Sequence, residues 1–129
     1  MPLHLFAVAL GGAFGAAIRY AVTLGCEARF GERFGYGTLL VNVAGCFLLG
    51  VLTHEGLANA TRAPWLTHPG LKAGLLGGLT TFSTFGLQTV GHVEQGEWKL
   101  AAANVSANLV LGCLAVVAGL AVSRAFAQG

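Results

Sequence analysis

Charge is scarce in this chain. Seven Lys or Arg and five acidic residues make up 9% of 129 residues, against about 25% in a soluble domain. So few charged groups cannot coat a water-facing surface, and 55% hydrophobic residues with a mean hydropathy of +0.72 exclude a disordered chain as well. The net charge of +2 provides no basic face for a phosphate backbone, which excludes a nucleic-acid binder. The three cysteines, Cys26, Cys46 and Cys113, form no CxxC pair and have no ligand spacing around them, so they read as small packing residues. The four histidines form no HxxxH or HExxH pair and read as interfacial. No nucleophile–base pair, paired carboxylates or metal-ligand cluster stands out, so the chain is not expected to be an enzyme.

The few charges are also clustered. Residues 3–26 carry only Arg19, and the stretches 34–53, 73–93 and 100–123 carry none. A bilayer core of about 30 Å takes about 20 helical residues. The chain therefore reads as an all-α integral membrane protein, one domain over residues 1–129 with spans at about 3–24, 36–54, 72–92 and 99–124. The opening Met-Pro-Leu-His lacks the basic start of a signal peptide, so the first span is expected to be retained. Tyr20, Tyr36, Trp65 and Trp98 fall near span ends, where amphipathic rings anchor at headgroups.

Two further patterns concern assembly. Four spans place Arg62, Lys72 and Arg124 on one side and Arg29, Arg33 and Lys99 on the other, with Arg19 inside the first span. Lys and Arg excess sets orientation, and a balance of three against three sets none, so the chain is expected to insert both ways and pair antiparallel. Glycine is abundant, at 20 residues, with GxxxG spacing at Gly11/Gly15 and Gly74/Gly78. Such residues let membrane helices approach closely.

The polar residues inside the spans suggest the cargo. No Asp or Glu lies deep in a span, which argues against proton-coupled transport and against a cation pore built on carboxylate rings. Neutral donors, hydroxyls and Arg19 favour an anion or a neutral solute. Asn42 is the deepest amide of the second span, with Thr38 one turn earlier on the same face. It suits either a pore lining or an interhelical hydrogen bond. Asn104 and Asn108 form an i, i+4 amide stripe leading to Gly112, too costly to face lipid. Arg19 suits either snorkelling to headgroups or an electropositive vestibule. The segment Gly77-Gly-Leu-Thr-Thr-Phe-Ser-Thr-Phe-Gly86 weakens a regular helix. A break there requires protein or a cavity to cover it, and the freed carbonyls could bind a cation. Phe82 and Phe85 share a face as core residues or as ring edges, which carry positive potential.

Three segments, Gly11-Gly-Ala-Phe-Gly-Ala-Ala-Ile-Arg-Tyr20, Gly37-Thr-Leu-Leu-Val-Asn-Val-Ala-Gly45 and Gly77-Gly-Leu-Thr-Thr-Phe-Ser-Thr-Phe85, resemble the signatures of the Fluc (CrcB) fluoride channel family along essentially the whole chain. The resemblance implies passive, fluoride-selective export that lowers fluoride toxicity, through two pathways in an antiparallel, dual-topology homodimer in a prokaryotic inner membrane. It implies that Asn42 donates to fluoride, that Phe82 and Phe85 line the pathway and that Thr38 and Ser83 supply hydroxyls. Gly77 and Thr80 would hold a structural Na+ through backbone carbonyls at the dimer centre, and Arg19 would lie near the pore mouth. In the fourth span Asn104, Asn108 and Gly112 stand where family members carry an aromatic and hydroxyls, and Gln88 is a further pathway candidate. The competing readings are a dual-topology multidrug exporter, which needs a membrane-embedded glutamate absent from the first span, and a non-conducting assembly subunit, which leaves the inward amides without a role.

The balanced charges generate a prediction. Terminal tags on the chain in cells should be accessible from both faces of the membrane in comparable amounts; accessibility from a single face would refute dual insertion.

Overall fold

The computed structural model describes residues 1–53 and 56–128. His54, expected at the end of the second span, lies outside the described residues. Every element is helical: α1 (Pro2–Phe30), α2 (Tyr36–Thr53), α3 (Gly56–Ala60), a 3₁₀ turn (Pro64–Thr67), a π-helical segment (Gly70–Leu76) continuing into α4 (Gly77–Leu79), α5 (Phe82–Glu94) and α6 (Trp98–Gln128). Pro2 sits in the first turn of α1, where a missing N–H leaves no bond unmade. At the other end Gly31 turns the chain with φ 79° while its N–H closes on the Glu27 carbonyl at 2.8 Å. The helix thus runs past residue 24 and carries Glu27 and Arg29 within its last turns.

Among the described residues, α1, α2 and α6 are long and apolar enough to cross a membrane. The stretch expected as the third span is helical on both sides of an interruption at Thr80 (ψ 157°) and Thr81 (φ −150°, ψ 118°). Thr81 caps α5 by accepting from the Thr84 N–H at 3.2 Å, so the second half restarts with one of its first-turn donors satisfied.

The helices pack in pairs, α1 on the π-helical segment and α4, α2 on α6, and α5 on α6. Glycine makes the first two contacts possible. A Cβ at Gly11 would strike the Gly70 carbonyl and one at Gly15 the Leu75 carbonyl, while Gly78 meets the Gly12 carbonyl from the other side. Gly50 and Gly119 interlock α2 and α6 in the same way. Close backbone contact substitutes for the interhelical hydrophobic force that lipid removes. The buried apolar cluster is small, with Val41, Leu52, Leu76 and Leu79 flanked by Val22, Leu66 and Leu71. Large apolar side chains such as Phe14, Leu87 and Phe82 point outward instead. That distribution suits hydrocarbon or a second protein surface rather than water.

Replacing Gly15 by Leu should lower stability by about 1–3 kcal/mol through overpacking, measured as thermal unfolding in detergent. Gly25, with nothing within 4 Å of a Cβ, should tolerate Ala with no loss.

Candidate functional site at the helix break

The interruption in the third apolar stretch leaves the Thr81 N–H without a helical acceptor, and Asn42 of α2 takes it up while also bonding the Thr81 carbonyl. Its Oδ1 accepts from the Thr81 N–H at 2.8 Å, and its Nδ2 donates to the Thr81 carbonyl at 3.2 Å. The second Nδ2 proton goes to Asn108 Oδ1 of α6 at 3.0 Å. Asn108 Nδ2 donates in turn to Asn104 Oδ1 at 3.0 Å, and Asn104 Nδ2 donates to Thr89 Oγ1 of α5 at 2.9 Å. Four side chains from three helices thus form one head-to-tail chain of donors. The Asn104/Asn108 stripe faces α5 and α2, with Asn104 0% exposed. Gly112 leaves room for Cys46, whose sulfur would sit 3.6 Å from a Cβ there.

An open groove of about 330 Å³ runs along this break. Asn42, Gly45, Asn108, Phe82 and Phe85 line it together with Gly77, Thr80, Cys46, Leu76 and Lys72. The Phe82 and Phe85 rings lie 5.5 Å apart at 50°, and Phe82 is 81% exposed. Ser83 lies at the same helix start, its hydroxyl 3.3 Å from that of Thr81. Thr38 and Gln88 sit apart from the groove lining as a linked pair. Thr38, 1% exposed, accepts from Gln88 Nε2 at 3.0 Å, and Gln88 Oε1 is buried without a partner. Arg19 does not line the groove either; its Nη1 donates to the Thr80 carbonyl at 3.2 Å.

The break also bears on Na+. Thr81 N–H would close on the Gly77 carbonyl in an unbroken helix, but it is held by Asn42. The Gly77 carbonyl therefore loses its i+4 donor, and the space beside Gly77 is open. Carbonyl oxygens suit a hard cation, and Thr80 retains a lone pair beyond the one used by Arg19. The residues present fit such an ion.

Several participants carried little sequence signal. Thr81 is legible in hindsight as an N-cap hydroxyl, while nothing in the sequence marks Thr89 or Lys72 as a neighbour of the site. At the end of α5, His92 is buried, not interfacial as its position suggested. Its Nδ1 lies 3.1 Å from Glu97 Oε2, and Glu97 Oε1 accepts from Arg33 Nη2 at 2.6 Å. His4 stacks on His68 with ring centroids 5.3 Å apart.

Apolar outer faces on all the long helices, with amides and hydroxyls turned inward, define an all-helical, multi-pass membrane protein. Residues 6–120 match the family model described as CrcB-like protein, Camphor Resistance (CrcB). The chain is 40% identical over 124 residues to the fluoride-specific ion channel FluC of Sorangium cellulosum (strain So ce56), covering 96% of this chain and 97% of that protein. It is 43% identical over 128 residues to the protein of the same name from Cereibacter sphaeroides (strain ATCC 17029), again covering 96% and 97%. A third relative with that name, from Shewanella sp. (strain ANA-3), is 46% identical over 118 residues, 88% of this chain and 90% of its own length. The chain belongs to the CrcB family.

The Arg33 guanidinium, and after it the His92 ring, hold the Glu97 carboxyl below the ordinary glutamate range. A carboxylate with a lowered folded-state pKa stabilises the fold above its unfolded value, about 4.3, and that stability is lost as pH falls through the folded value. Thermal melts should therefore show wild type above Arg33→Gln near neutral pH. The gap should close on acidification below the usual carboxylate range.

Proposed function

We propose that this chain is a fluoride-selective passive channel, completed by an antiparallel second copy in a prokaryotic inner membrane and letting the membrane potential expel fluoride from the cytoplasm. The observation that carries the reading is the groove at the helix break, where amide donors and two phenyl rings meet the start of α5. The names of the relatives, fluoride-specific ion channel FluC, support it.

The chemistry follows from what fluoride loses on leaving water. A small anion needs dense positive partial charge to replace its hydration shell. Three sources converge on the groove. The N-terminus of α5, the positive end of its helix dipole, lies at the groove, which Thr81, Phe82 and Phe85 line. The rims of Phe82 and Phe85 present their positive edges. Asn42 supplies an amide proton, which fluoride takes over from Asn108 Oδ1. The released Asn108 then turns within the donor chain that ends at Thr89. Ser83 offers a hydroxyl at the start of α5, the linked Thr38 and Gln88 offer a hydroxyl and an amide away from the groove lining, and Asn104 orients Asn108.

A second copy running the opposite way would cover the exposed Phe82 and double the Gly77 and Thr80 carbonyls around one structural Na+. Bound there, the ion would supply positive charge that ties the two copies together. Balanced Lys and Arg on the two sides supports insertion in both orientations.

Purified protein in liposomes should release fluoride far faster than chloride; equal fluxes or none would reject the reading. Phe82→Ile should cut fluoride flux at least tenfold while the protein keeps its size in detergent, because so exposed a ring contributes little to the fold of one chain. Asn42→Ala should cut flux too and lower thermal stability by about 1–3 kcal/mol, since it strands the Thr81 N–H at the break.

A further inference from the structure

Seven cationic side chains are available to attract an anion, and the structure separates them. Arg19 is tied to the Thr80 carbonyl, and Arg33 is tied to Glu97. Lys72 differs from both. It lies in the π-helical segment Gly70–Leu76, on the side of the break where the chain enters from the 3₁₀ turn. It lines the same groove as Asn42, Thr80 and Phe82, and no described carboxylate pairs with it. Lys72 and Thr80 are eight residues apart along nearly continuous helix; at about 1.5 Å per residue this places the lysine about 12 Å from the break.

We infer that Lys72 is the anion-recruiting cation of this groove, the charged mouth that concentrates a small anion before the amides and phenyl edges receive it. The inference rests on the channel reading given above. Two features of the position favour it. A low-dielectric groove focuses the field of a charge on its wall, so one unpaired cation raises local anion concentration strongly. The lysine stem is long and flexible, so the ammonium reaches the aqueous end while its methylenes cover apolar wall. The π-helical turn contributes as well. Wide turns of this kind re-aim side chains and recur at functional sites. Arg19 gives one N–H to the Thr80 carbonyl and lies outside the groove lining, whereas Lys72 lines it.

The test is fluoride efflux from liposomes of neutral lipid, with ionic strength set by sodium gluconate. The charge field reaches about 30 Å at 0.01 M salt and about 8 Å at 0.15 M. Lys72→Gln should therefore conduct about 3–10-fold less than wild type at 0.01 M, with the deficit shrinking toward parity at 0.15 M and above. Lys72→Glu should fall further at low salt, and Lys72→Arg should match wild type. Size exclusion in detergent checks that each variant assembles as wild type does. A charge-independent loss, equal for Gln and Arg at every salt concentration, overturns the inference and marks Lys72 as a packing residue. Wild-type flux in Lys72→Gln at low salt also overturns it and marks the ammonium as a headgroup anchor. Absence of fluoride flux in wild type itself sinks the channel reading, and is thereby distinguished from failure at Lys72.

Discussion

The pair of hydrogen bonds between the Asn42 amide and the Thr81 backbone is the constraint on which this architecture depends. An unpaired peptide group in hydrocarbon costs several kcal/mol, so a helix can open inside a bilayer only where another group replaces the missing bonds. Asn42 replaces the bond lost by the Thr81 N–H and adds a second to the C=O of the same residue. A primary amide presents its donor and acceptor side by side, as a peptide group of a neighbouring strand would.

Much else follows from that contact. It ties α2 to the break and leaves one Asn42 proton for Asn108, which brings α6 into the network. It frees the Gly77 carbonyl on one side and lets Thr81 cap α5 on the other. An interrupted helix then presents oxygens and N–H groups to nearby regions of one groove. In general, the two ends of an interrupted membrane helix can meet ions of opposite sign. Glycine packing holds the halves in place, since α1 lies against the π-helical segment with almost no side chain between the backbones.

The candidate site residues were unevenly legible. Span-like apolar stretches follow directly from where charge is missing, and the break follows from tandem glycines and hydroxyls in one segment. Asn104 and Asn108 had to face inward because amides in lipid are costly, and that argument needs only helical spacing. The partners were not legible. Sequence distance carries no information about which helix faces which, so the bond from Asn104 to Thr89 and the pairing of Gln88 with Thr38 required the packed structure. His92 shows the same limit. Its place near the end of an apolar run suggested headgroups, but the chain folds Glu97 back over it.

The sequence by itself determined a membrane-embedded helical chain, its breakable third stretch and the residue types able to meet a small anion, because each depends on local composition and period. Only the tertiary structure decided which polar groups satisfy one another and which remain for a ligand. Arg19 and Lys72 are both cations in apolar surroundings, yet the first donates to the Thr80 carbonyl outside the groove lining and the second lines the groove. That difference depends on which helices pack together, set by close glycine contacts such as Gly11 on Gly70 and Gly15 on Leu75, and not on the sequence neighbours of either residue.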